Sequence, residues 1–313
     1  MKPDLISVLP LLPRQMAELE QDFTVHKLPR PPERASFLAR LADRVRFVQT
    51  TGGAGADAEL INALPKLEII ACMAVGLDAI DLAAAKARGI AVTNTPDVLN
   101  DDVADLAMAL VLNTARRLII SDRWVRDGHW VKKGSQPLAR TVTGKRVGVL
   151  GLGRIGKAFA KRAAAFDMDV VYHGRQKQAD VPYTYYADLA RMARDVDFLV
   201  VIVPGGRETK HLVDAKVLEA LGPEGILINV ARGSVVDEAA LVRALKDGKV
   251  GGAGLDVFAD EPNVPSELFA MENVVLGPHV GSATIETRNA MADLVVANLR
   301  AHLHGKKLLT RYI

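Results

Sequence analysis

The sequence predicts an α/β chain built from two doubly wound parallel-sheet domains, and three observations carry that expectation. Short β-branched runs alternate with longer Ala- and Leu-rich amphipathic stretches almost from end to end, the pattern of parallel strands joined by helices. The 313 residues exceed what one hydrophobic core usually serves. The alternation also runs twice, once before about residue 98 and again after Thr143-Gly144-Lys145.

In the first series, strands are expected at Leu5–Leu9, Val45–Gln49, Ile69–Met73 and Ile90–Thr93. Helices are expected at Arg34–Ala42, Ala58–Leu64 and Ala79–Arg88, with Asp78 as a starting cap and Gly89 where the last helix must stop. The apolar N-terminal run is interrupted by Pro10 and Pro13 and reads as a strand rather than a signal peptide. Pro96 marks the boundary, and one long helical segment follows over Asp101–Asp127. The second series places six strands at Arg146–Leu150, Asp169–Tyr172, Phe198–Val203, Gly225–Asn229, Gly252–Leu255 and Val274–Leu276, then a final helix over Ile285–His304. The expected division is residues 1–98, with 286–313 returning to them, against residues 99–285.

Bulk composition narrows the function classes. Forty basic against 37 acidic residues leave only +3, too little for a field of the size nucleic-acid binding needs. The most apolar helical stretch, Ala104–Ala115, is shorter than the ~20 residues a membrane span requires. Cys72 is the only cysteine, which excludes a disulfide framework and a cysteine metal cluster and suits a reducing cytoplasm. No nucleic acid, membrane or metal partner is therefore expected.

The most informative motif is Gly151-Leu152-Gly153-Arg154-Ile155-Gly156, between the apolar strand ending at Leu150 and an Ala-rich helix over Lys157–Ala165. In a strand–turn–helix context one glycine makes the tight turn, one admits a pyrophosphate to the backbone, and one lets helix and strand pack closely. The helix N-terminus then offers its free N–H groups to the phosphates. A Rossmann-like dinucleotide domain follows, with a smaller flavodoxin-like partner and an active-site cleft expected between them. An NAD site places a carboxylate about 20 residues past the fingerprint to hold the ribose 2′-OH. Here 18 residues past Gly156 is Gly174, and the acid is replaced by Arg175 and Lys177. A guanidinium can bind a 2′-phosphate that a carboxylate would repel, so NADP, with NADPH preferred over NADH, is the expected cofactor.

Four ordered segments together resemble the D-isomer-specific 2-hydroxyacid dehydrogenase family, especially its glyoxylate/hydroxypyruvate reductase branch. They are Gly151–Gly156, Asn229–Asp237, Leu255–Pro262 and Gly277–Thr284, and the likeness extends to Val75-Gly76-Leu77-Asp78 near the start. The chemistry can also be argued from the residues. Reducing a 2-keto acid needs a hydride, a proton for the carbonyl oxygen and a cation for the carboxylate. His279 is the natural acid, because its ordinary pKa lies near working pH. Glu261 can hydrogen-bond the imidazole, and Arg232 follows a strand at the carboxyl edge where open sheets bind ligands. The resemblance gives Arg232, Glu261 and His279 these catalytic roles. It further implies that Val75 and Gly76 bind the substrate carboxylate along with Arg232 and His279, and that Pro204, Thr209, Val230, Ala231, Asp256 and Gly281 meet the cofactor. The stretch Thr51–Ala54 matches the family's substrate loop weakly and receives no role.

The other six histidines, His26, His129, His173, His211, His302 and His304, read as surface or packing residues. The segment over residues 101–138 carries apolar faces with Trp124 and Trp130 and is expected to form a homodimer. Whether Trp130 reaches a neighbouring pocket stays open, and with it the size of the keto acid. Two alternative activities also stay open: an enzyme of D-lactate or phosphoglycerate type, and an NAD(P)-sensing corepressor-like protein on the same fold.

Overall fold

Strand order explains how the chain places its loops. The computed structural model describes residues 2–313. The chain divides into two units, Met1–Leu99 with Ala283–Ile313, and Asn100–Ser282.

The first unit holds strands β1 (Asp4–Ser7), β2 (Thr24–Lys27), β3 (Val45–Thr51), β4 (Ile69–Met73) and β5 (Ala91–Thr93), in the spatial order β2-β1-β3-β4-β5, with every pairing parallel. Helices α1 (Pro13–Asp22), α2 (Arg34–Leu41), α3 (Ala58–Asn62) and α4 (Leu82–Ala87) connect them. One sheet face packs Leu38, Leu41, Leu60, Ile61 and Leu64; the other packs Met16, Leu19 and Phe23 with Ala292, Val295 and Leu299 of the C-terminal helix. Two elements of this unit escaped the sequence reading, α1 and β2. Pro13 does more than interrupt the apolar run: it begins α1, since proline suits the first helical turn. β2 is a partly exposed edge strand whose Thr24-Val25-His26-Lys27 lacks an apolar run. The cap of α4 is Asp81, which accepts from the Ala84 N–H at 2.8 Å, and not Asp78.

The second unit opens with α5 (Asn100–Arg116), α6 (Leu118–Arg126) and α7 (His129–Lys133). The single long helix expected over Asp101–Asp127 is thus broken. Arg117 takes a left-handed conformation (φ 53°), which α-helical hydrogen bonding cannot continue through. Its sheet consists of β6 (Arg146–Leu150), β7 (Asp169–His173), β8 (Thr184–Tyr186), β9 (Phe198–Val201), β10 (Ile226–Asn229), β11 (Gly252–Leu255) and β12 (Val274–Leu276). These seven strands are all parallel, in the order β12-β11-β10-β9-β6-β7-β8. The seventh, β8, was missed because Thr184-Tyr185-Tyr186 is short, polar-edged and only partly buried. Helices α8 (Arg154–Ala165), α9 (Leu189–Arg194), α10 (Ala215–Leu221) and α11 (Glu238–Lys246) cover the sheet, and α12 (Ile285–Leu303) belongs to the first unit. The order in which successive strands are added reverses between β6 and β9, the switch point at which doubly wound sheets bind ligands. The glycine-rich turn lies there. No helix among the described residues is long and apolar enough to cross a membrane.

Candidate active site

All fifteen residues expected to meet the cofactor lie on loops, or in the first turn of α8, that follow the carboxyl ends of six consecutive strands of the seven-stranded sheet. Gly151–Gly156 follow β6, Gly174, Arg175 and Lys177 follow β7, and Pro204 and Thr209 follow β9. Val230 and Ala231 follow β10, Asp256 follows β11 and Gly281 follows β12.

The glycine turn fits a pyrophosphate for steric reasons. A Cβ on Gly151 (φ +101°) would lie 2.7 Å from Val203 Cγ1, and one on Gly156 would lie 2.1 Å from the carbonyl oxygen of Gly151. Both positions exclude a side chain. A Cβ on Gly153 would meet nothing within 4 Å, so the space above the turn is open for phosphate oxygens. No side chain caps α8, which leaves its first N–H groups turned toward that space.

The turn after β7 is tied to the glycine loop. Gln178 Nε2 donates to the Leu152 carbonyl (2.8 Å), the Gln178 N–H donates to the Tyr172 hydroxyl (2.7 Å), and the Tyr185 hydroxyl donates to the Gly174 carbonyl (3.2 Å). Arg175 and Lys177 are exposed on this turn and have no ion-pair partner among the described residues. His173 ends β7 with Nδ1 at 2.9 Å from the Tyr186 carbonyl, while its own carbonyl accepts from the Gly151 N–H. It packs this corner together rather than standing at a random surface position.

Three loops on the other half of the sheet assemble the expected catalytic set. Arg232 leaves β10 on a turn clamped by Asn229, which is 1% exposed. Asn229 Oδ1 accepts from the Ala231 N–H (3.0 Å) and its Nδ2 donates to the Arg232 carbonyl (3.0 Å). A Cβ on the next residue, Gly233, would lie 1.9 Å from the carbonyl carbon of Phe258, so the loops after β10 and β11 touch backbone to backbone. The second loop carries Glu261, whose Oε1 accepts from the Phe258 N–H (3.0 Å) and whose Oε2 accepts from His279 Nδ1 (2.6 Å). The carboxylate is acceptor-only, so Nδ1 carries the proton and Nε2 is the nitrogen left to exchange one. The His279 side chain is 46% exposed, open to a reactant.

His279 has a left-handed backbone (φ 55°), a conformation of order 1–3 kcal/mol above the ordinary regions for a residue of this kind. Asp256, 1% exposed, holds it there. The Asp256 carbonyl accepts from the His279 N–H (2.8 Å), Oδ1 accepts from Val280 (2.8 Å) and Oδ2 from Gly281 (2.9 Å). Burial pushes the Asp256 pKa up despite those two backbone donors. Both Asp256 oxygens and the Gly281 N–H thus brace the histidine loop, a role not read from the sequence. Thr209 likewise turns its hydroxyl inward, to the Pro204 carbonyl (2.8 Å).

In the first unit, Val75 and Gly76 form the turn after β4. Asn94 Nδ2 donates to the Val75 carbonyl (3.1 Å), and the N–H groups of Val75 and Gly76 have no acceptor among the described residues. Among those residues no cluster of histidine, cysteine and acidic side chains has metal-binding geometry.

Comparison with known proteins agrees with this geometry. Residues 108–281 match the model of the D-isomer specific 2-hydroxyacid dehydrogenase NAD-binding domain. A hydroxyphenylpyruvate reductase of Plectranthus scutellarioides and a glyoxylate/hydroxypyruvate reductase of Arabidopsis thaliana are each 53% identical over 293 residues, covering 94% of this chain and 93% of theirs. The crystal structure of an NADPH-dependent glyoxylate/hydroxypyruvate reductase from Sinorhizobium meliloti, in complex with NADP and malonate, superposes with a TM-score of 0.94 at 46% identity, covering 99% of this chain and 97% of that one. The chain belongs to the D-isomer specific 2-hydroxyacid dehydrogenase family.

Proposed function

We propose that this protein reduces small 2-keto acids, glyoxylate and hydroxypyruvate among them, to D-2-hydroxy acids at the expense of NADPH. The observation that carries the reading is the His279–Glu261 pair, 2.6 Å apart, on loops at the same sheet edge as a glycine turn that fits a dinucleotide. When bound, the reduced nicotinamide supplies the hydride. His279 holds at Nε2 the proton that the carbonyl oxygen takes up, and Glu261 keeps the ring in the orientation and tautomer that make this possible. Arg232 and the N–H groups of Val75 and Gly76 take the substrate carboxylate. Arg175 and Lys177 favour NADPH, because two uncompensated cations on the turn after β7 suit a 2′-phosphate.

The reading includes a homodimer formed through residues 101–138 and a place in a reducing cytoplasm, which the single buried Cys72 suits. Chiral chromatography of the product formed from hydroxypyruvate and NADPH tests the reaction. D-Glycerate is the expected product; L-glycerate would contradict the D-specific reading.

A further inference from the structure

Arg288 lies in the first turns of α12, in the unit that also carries Val75 and Gly76. Its side chain is half-buried and has neither a carboxylate nor a carbonyl acceptor among the described residues. The three other half-buried arginines of this unit all have one. Arg34 pairs with Asp57 (2.9 Å), Arg88 donates to the Ile61, Leu64 and Pro65 carbonyls, and Arg300 binds Glu18 (3.0 Å) and Asp22 (2.6 Å). A cation withdrawn from water without a partner is costly and calls for an explanation. Burial holds its pKa below the ordinary arginine value, as expected for a charge still lacking its counter-ion.

Packing fixes the direction in which this side chain extends. Arg288, Ala292, Val295 and Leu299 recur at helical spacing on one stripe of α12, and the last three are buried in the core against the sheet. The helix runs antiparallel to β4, because His302 near its end pairs with Glu68 just before that strand (3.0 Å). Arg288 is 14 residues before His302, about 21 Å of helix. Val75 is 7 residues after Glu68, about 23 Å of extended chain. Arg288 is therefore level with the Val75–Gly76 turn, on the stripe that faces the sheet, at the point where the strand has ended. Three bonds tie this corner together: Thr287 Oγ1 to the Val98 carbonyl (3.4 Å), the Thr95 N–H to the Ala74 carbonyl (2.8 Å), and Asn94 Nδ2 to the Val75 carbonyl (3.1 Å).

We propose that Arg288 is a substrate-binding residue, joining the N–H groups of Val75 and Gly76 in holding the carboxylate of the 2-keto acid. The two backbone donors and the guanidinium share one lack, an anionic acceptor, and a carboxylate has lone pairs enough for all three. This inference rests on the reductase reading above and adds a residue to it.

The test compares wild type with Arg288→Gln and Arg288→Lys. Oxalate, a glyoxylate analogue that cannot be reduced, is titrated calorimetrically into the NADP-loaded protein, alongside glyoxylate kinetics and thermal melting without ligand. For Arg288→Gln the proposal expects oxalate binding weakened by roughly 10–100-fold, the range of a lost charge-assisted bond. It expects KM for glyoxylate to rise in step, kcat to stay within about threefold, and NADPH affinity to hold. Arg288→Lys should recover part of the loss. The melting temperature without ligand should stay level or rise, because an unpartnered charge has been removed; a structural role would lower it instead. Unchanged oxalate affinity in folded Arg288→Gln, with wild type active, would overturn the role of Arg288 alone. A wild type that neither binds oxalate nor reduces glyoxylate would overturn the reductase reading itself.

Discussion

At the scale of single residues, the proposed site divides side chains assigned to the reactants from side chains that hold others still. His279 presents Nε2 because Glu261 occupies Nδ1, and it keeps a left-handed backbone because Asp256 binds three consecutive N–H groups of its loop. Arg175 and Lys177 have no such engagement, and that freedom is what a 2′-phosphate needs. Replacing both with Ala should weaken NADPH by roughly 10–100-fold per lost charge-assisted bond while changing NADH several-fold at most. Fluorescence titration with both cofactors checks this, and equal losses would remove the phosphate argument. The candidate reacting residues were legible in the sequence, since histidine, carboxylate and arginine announce their chemistry by type and by their place after strands. Their supports were not. Asn229, Gly233 and Gln178 act through backbone contacts that become visible only when separate loops are brought together.

At the scale of elements, β1 shows how charge pins a strand. Asp4 begins it with a nearly buried carboxylate, 2.6 Å from His26 Nε2 on β2 and accepting from Arg44 at 2.9 and 3.1 Å. Burial pushes the Asp4 pKa up, yet the bonds from His26 and Arg44 outweigh it and leave the group below its ordinary value. A carboxylate depressed in the folded state stabilises it above the ordinary carboxylate range, and that stability is lost as pH falls through the range. Asp4→Asn should therefore melt lower than wild type near neutral pH, with the gap closing below about pH 4. A gap independent of pH in thermal melts would show that charge is not the cause. Elements with strong periodicity, such as β4, β6, β11 and β12, could be read to the residue. The weak ones could not: β2 and β8 are short edge strands without an apolar run, and nothing local in Arg116-Arg117-Leu118 signals the break between α5 and α6.

At the scale of the whole molecule, helices α6 and α7 stand out because neither buries a residue. Leu118, Ile119, Val125, Trp130, Val131 and Leu138 are all exposed along this arm, large apolar side chains of the kind a partner surface covers. A second copy covering that arm is the expected solution state, and light scattering at micromolar concentration should return twice the mass of one chain; a monomer would contradict it. The fold class was legible because two series of strands and helices, each with its own switch of direction, leave their rhythm in the sequence. The fingerprint glycines were legible because a side chain at Gly151 or Gly156 would collide with the backbone.

The central claim is that His279 protonates a 2-keto acid in an NADPH-dependent reduction. Its most direct test is NADPH oxidation with glyoxylate, followed by absorbance for wild type and His279→Ala, with NADH run beside it. Wild type should turn over with a preference for NADPH, and the variant should lose kcat on the order of 10²–10⁴-fold. A His279→Ala protein that turns over at the wild-type rate would contradict that claim.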